Sequence, residues 1–225
     1  MSKITLFHGS SVIVEKPDLN YCKPYTDYGV GFYCTKHIEL AKEWACPINV
    51  DGFVNEYELD MMGLKILDLS TDEYNILNWL AILMENRLVN LSSPLSKRAK
   101  DYLLEHFLPD YKGYDVIIGY RADDSYFLFA RAFINNQISL KQLGYAMKLG
   151  DLGNQYCLKT NKAIAQLRFV GATPASADKY YRLKKERDQN ARDDFMKELE
   201  NGDVDGIYIR DIIKEGMKND DQRLR

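Results

Sequence analysis

The chain has 225 residues, 46% of them hydrophobic, enough for one elaborated domain with a real core. Its 30 basic and 33 acidic residues give a formal net charge of −3, which excludes the basic excess used for nonspecific phosphate-backbone binding. No apolar run approaches a membrane span and no signal-peptide core follows Met1, so a cytoplasmic protein without membrane contact is expected.

The first element, Ile4 to Phe7, is a short apolar strand ending at His8-Gly9-Ser10. Gly31 to Thr35 reads as a second strand, and Ile38 to Ala45 as a helix with Ile38, Ala41 and Ala45 on one face. Strands follow over Val54 to Leu59 and Lys65 to Leu69. The middle is helical, over Ile76 to Val89 and Leu95 to Phe107, before a buried strand from Tyr114 to Gly119. Helices are expected over Ser125 to Asn135 and over Ser139 to Leu149, the latter capped by its serine. Gln155 to Thr160 and Gln166 to Val170 read as strands. Ser176 to Glu200 is a long helix of mixed charge whose Tyr180, Leu183, Ala191, Phe195 and Leu199 form a thin apolar stripe. A turn, a short strand at Ile207 to Ile209 and a tail fraying past Gly216 complete the chain. Cys22, Cys34, Cys46 and Cys157 lack metal-site or redox spacing and are expected to be reduced, with no metal bound.

Three separated segments carry the chemistry: Leu6-Phe7-His8-Gly9-Ser10, Tyr28-Gly29-Val30-Gly31-Phe32-Tyr33, and Asn154-Gln155-Tyr156. Alone, each has an ordinary structural use: a strand closing into a turn, an aromatic strand, a polar strand edge. In order, with a helix after the second, they resemble the three-part NAD site of the ADP-ribosyltransferases, in the branch containing the poly(ADP-ribose) polymerases and diphtheria toxin. The resemblance implies an α+β fold with a split β-sheet core, a helical insertion near residues 71–110 and a C-terminal helical extension over about 174–225. It implies that His8 binds a ribose hydroxyl, Gly9 clamps the nicotinamide amide supported by Ser10, and Tyr33, reached through Gly31, stacks on the ring.

The third position of that branch is usually glutamate, and here it is Gln155. Glutamine keeps an acceptor oxygen and cannot ionise, so chain growth is not expected and single transfer stays open. If a carboxylate is needed, the run Gly119-Tyr120-Arg121-Ala122-Asp123-Asp124-Ser125-Tyr126 offers one, with Asp124 a catalytic candidate or simply a helix cap. Arg121 is a candidate for the NAD pyrophosphate, or one half of a surface ion pair. With Gly153-Asn154-Gln155 and the Arg187 to Arg192 stretch, this run is similar to a bacterial family related to ADP-ribosyltransferases, over nearly the full length.

The implied activity is mono-ADP-ribosyl transfer from NAD, as substrate, to an unidentified protein or nucleic acid. The implied setting is a bacterial toxin, effector or defence protein, with a small neutralising antitoxin as a further partner. Rival readings are a noncatalytic NAD or ADP-ribose binding module, NAD hydrolysis, and an interaction protein with a vestigial pocket.

Overall fold

The computed structural model describes residues 3–122 and 125–224. Its elements, in chain order, are β1 (Lys3–Ser10), β2 (Phe32–Thr35), α1 (Ile38–Ala45), β3 (Gly52–Asp60), β4 (Ile66–Asp68), α2 (Ile76–Asn86), α3 (Pro94–His106), β5 (Val116–Gly119), α4 (Ser125–Ile134), α5 (Leu140–Ala146), β6 (Gln155–Leu158), α6 (Asn161–Ala165), β7 (Leu167–Ala175), α7 (Ala177–Asn201) and α8 (Ile209–Glu215). The architecture is α+β.

The strands form one mixed sheet of seven in the order β4-β5-β6-β2-β1-β3-β7. Among the described residues, only β4 and β5 pair in parallel. Pairing is dense inside each half: β1 pairs with β3 from Lys3↔Asp60 to Ser10↔Phe53, and β2 with β6 from Phe32↔Leu158 to Thr35↔Gln155. Between the halves, β1 and β2 share the single pair Phe7↔Thr35. Past that pair the strands diverge, and helix α1 packs across β1, β2 and β3.

Glycine permits that packing. A Cβ on Gly9 would lie 2.1 Å from the Ala41 carbonyl oxygen, and one on Gly52 would lie 2.0 Å from that of Ala45. The buried face of α1 is Leu40, Ala41 and Ala45, whereas Ile38, expected on that face, is exposed. The small side chains bring helix and sheet into backbone contact.

The main core gathers around α2, whose residues Leu77 to Met84 are all buried. A second cluster, with Leu6, Phe32, Tyr57 and Leu158, lies between the sheet and the segment linking β1 to β2. Helix α7 lays its stripe on the body through Tyr180, Ala191 and Phe195, the last stacked 4.2 Å from Phe129. Ser139 caps α5 with Gln142 in a reciprocal capping box.

Three sequence expectations need correction. Ile207 to Ile209 is not a strand, because Ile209 opens α8 and buries Ile209 and Ile212 on one side of it. The tail past Gly216 is docked, with Met217 and Leu224 buried and the Asn219 Oδ1 accepting bonds from Asn75 and Asn78. The last strand runs on to Ala175, five residues beyond the expected end at Val170. Its Pro174 is tolerated because β7 is an edge strand. Among the described residues, no helix is long and apolar enough to cross a membrane.

Candidate functional site

Where β1 and β2 part, a cavity of about 370 Å³ opens. It is lined by Phe7, His8 and Gly9 from β1, Tyr33, Cys34 and Thr35 from β2, and Ala41 and Trp44 from α1. The segment before β2 adds Lys23, Thr26 and Asp27, and Arg87, Arg121 and Gln155 complete the wall. The sheet register sets this meeting, since Phe7 pairs with Thr35 and Thr35 with Gln155, forming a row across β1, β2 and β6. Residues separated by most of the chain thus share one wall.

His8 Nδ1 lies 2.7 Å from the Tyr33 carbonyl oxygen. A carbonyl only accepts, so Nδ1 carries the proton and Nε2 is left as an acceptor. Burial lowers the His8 pKa and so favours a neutral ring, and the bond to the Tyr33 carbonyl opposes this only in part. The imidazole leans on Phe32, with centroids 4.3 Å apart.

Tyr33 offers its ring rather than its hydroxyl. That hydroxyl donates to the Gly29 carbonyl at 2.8 Å, accepts from the Tyr28 amide at 2.9 Å, and lies 2.9 Å from the Thr26 hydroxyl. These bonds tie the segment before β2 to the cavity, and burial holds the phenol far above its ordinary pKa.

Gln155 is 4% exposed. Its amide nitrogen donates to Asp27 Oδ2 at 2.7 Å and to the Tyr120 carbonyl at 3.0 Å. Both N–H groups are therefore used, and the amide orientation is fixed. Its carbonyl oxygen is the atom that a ligand can use, and only a donor can meet it.

Asp27 is a buried carboxylate that no sequence motif singles out. Oδ1 accepts from Arg87 Nε at 2.9 Å and Nη2 at 2.6 Å, and Oδ2 accepts from the Ala122 amide at 2.8 Å as well as from Gln155. With Arg87 paired to it, Asp27 holds the wall together. The run from Tyr120 to Ser125 contributes the Tyr120 carbonyl to Gln155 and the Ala122 amide to Asp27. Asp123 and Asp124 lie outside the described residues. The amide of Ser125, which opens α4, donates to Asp188 of α7 at 3.2 Å.

Arg121 is nearly buried and stacks over the Trp44 ring at 5.0 Å. Arg121 and Lys23 both line the cavity, and Arg87 is paired with Asp27. Ser10 is outside the lining, its hydroxyl accepting from the Val12 amide at 3.3 Å. Gly31 is also outside, held close to β6, where a Cβ would meet Cys157 Sγ at 2.4 Å. Cys34, Cys46 and Cys157 are buried free thiols, and Cys22 is half-buried.

Among known proteins, neither the curated sequences nor the solved structures give a match. One family does, under the description "Protein of unknown function (DUF3990)", over residues 4–169, a span running from the first residues of β1 into β7 and enclosing every residue of the cavity wall. The chain belongs to this family, and the cavity between β1 and β2 lies inside its shared region.

Proposed function

We propose that the chain is an NAD-dependent mono-ADP-ribosyltransferase, cleaving the nicotinamide–ribose bond and passing ADP-ribose to a macromolecular acceptor. The observation carrying this reading is that His8 and Gln155, whose Nδ1 and amide nitrogen are engaged so that an acceptor atom remains on each, line one cavity with the Tyr33 ring, Lys23 and Arg121. Oriented acceptors suit sugar hydroxyls, the Tyr33 ring suits a flat heteroaromatic, and Lys23 with Arg121 suits a diphosphate. NAD combines these groups in one molecule.

In the reaction the bond between the ribose anomeric carbon and nicotinamide breaks, with its electron pair leaving on nicotinamide. Positive charge then develops on the sugar, as in glycoside cleavage. The acceptor nucleophile bonds to the anomeric carbon and gives up its proton to water, while His8 Nε2 holds a ribose hydroxyl. Gln155 holds a hydroxyl and takes no proton. The chemistry therefore rests on positioning.

The test is nicotinamide release from NAD by the purified protein, with and without cell lysate, beside His8→Ala, Tyr33→Ala and Gln155→Ala variants shown to be folded. Release that needs lysate and is lost in the variants is expected. Release without lysate points to hydrolysis or self-modification. The full engagement of Asp27 favours a second reading, a binding module: NAD bound in a Tyr33-dependent way with no nicotinamide released under either condition replaces the transferase reading.

A further inference from the structure

We infer that Asp27 is the positioning residue that requires an amide at position 155. The two form one unit in which, among the described residues, the carboxylate of the cavity wall sits before β2 and the amide on β6. The Gln155 nitrogen faces two acceptors at once, Asp27 Oδ2 at 2.7 Å and the Tyr120 carbonyl at 3.0 Å. The Tyr120 carbonyl also accepts from the Tyr28 hydroxyl at 2.8 Å and Trp79 Nε1 at 3.0 Å, so it is held rigidly in place. Asp27 is held as firmly, by Arg87 and the Ala122 amide.

A glutamate at this position would set a carboxylate against a carboxylate and a carbonyl, in a place where neither partner can turn away. Such a pair cannot both ionise without a large cost, and one must keep a proton. Gln155 is thus a consequence of Asp27. Without Asp27 the amide would keep only the Tyr120 carbonyl as an acceptor for its nitrogen. This conclusion concerns the cavity whatever occupies it, and its test needs no ligand. Failure of the transferase reading therefore leaves it standing, and its own failure leaves that reading standing.

The titratable groups around the pair are Arg87 from the end of α2, Tyr28 and Cys157 beside Asp27, and Lys23, Tyr33, Cys34, Arg121 and His8 in the same cavity wall. Burial raises Tyr28 and pushes Cys157 up to about 12, while burial lowers His8. The Gln155 amide does not titrate, whereas a glutamate introduced in its place does. The folded-state pKa of that glutamate is raised above the ordinary value of about 4.3, so its contribution is complete below that pH and is lost as pH rises through the raised value.

The experiment is thermal melting of the full chain and of Gln155→Glu, Gln155→Ala and the double variant Asp27→Asn/Gln155→Glu, from about pH 4.5 to 8. Gln155→Ala is expected to track the parent at a constant offset. Gln155→Glu is expected to lose roughly 5–10 °C relative to the parent as pH rises, for a pKa raised by about 2. In the double variant the opposing carboxylate is gone, and that pH slope shrinks by at least half even though the melting point is lower throughout, since Arg87 and the Ala122 amide lose their charged acceptor. A Gln155→Glu profile parallel to the parent, or a slope unchanged in the double variant, overturns the inference. Should Gln155→Glu fail to fold at any pH, recovery of folding by the added Asp27→Asn supports it and continued misfolding overturns it.

Discussion

The contact between Gly9 and α1 can be tested by adding one carbon. In Gly9→Ala the new methyl would sit 2.1 Å from the Ala41 carbonyl oxygen and 2.6 Å from the Ala45 amide nitrogen, where ordinary contact begins at 3.4 Å. Both neighbours are helix backbone, so no rotamer change relieves the clash, and α1 must retreat by more than 1 Å. Overpacking that displaces backbone costs about 3 kcal/mol, the upper part of its usual range. In a chain of this size that lowers the melting temperature by roughly 6–12 °C. Because Ala41 and Trp44 line the cavity from α1, the same shift should change the near-ultraviolet circular dichroism of Trp44 and weaken any ligand bound there. Gly144→Ala is the control: nothing lies within 4 Å of its Cβ, and in helix α5 the change should be neutral or raise stability by up to about 1 kcal/mol. A Gly9→Ala protein melting within about 1 °C of the parent would refute the argument that this glycine seats the helix.

Two further outcomes follow from the same structure. Burial lowers the His8 pKa from its ordinary 6.5, so the neutral-ring stability is complete above that pH and is lost as pH falls from there through the folded value. Relative to the parent, His8→Asn should therefore show a shallower fall in melting temperature below about pH 6.5, measured by scanning calorimetry from neutral pH to pH 4.5. Leu224→Ala should cost about 2–3 kcal/mol in urea unfolding, because Leu224 is buried against the main core, whereas a frayed tail would give no change.

Much of the fold was legible because period and caps act locally. The α1 bounds are those expected from the sequence, and Ser139 caps α5 as its position suggested. Helix α8 was hidden because Ile207, Ile209, Ile212 and Ile213 are β-branched and read as strand, while its start depends on a Tyr208–Asp211 capping pair. At the site, His8, Gly9, Tyr33, Arg121 and Gln155 were singled out by sequence and line one cavity. Asp27 was not, because an aspartate between Thr26 and Tyr28-Gly29 looks like any turn residue. Its importance comes from partners 60 and 128 positions away, Arg87 and Gln155, which no local pattern reports.

The lone Phe7↔Thr35 pair carries one more implication, for motion. A sheet paired along its whole length twists as one body, but two ladders sharing a single rung can rotate about it with little loss of hydrogen bonding. Helix α1 bridges that joint, so its seating sets the gape of the cleft. The width of the cleft is thus set where helix backbone meets sheet backbone, at Gly9 and Gly52, and a bulkier residue at either position would alter it without touching Tyr33 or Gln155.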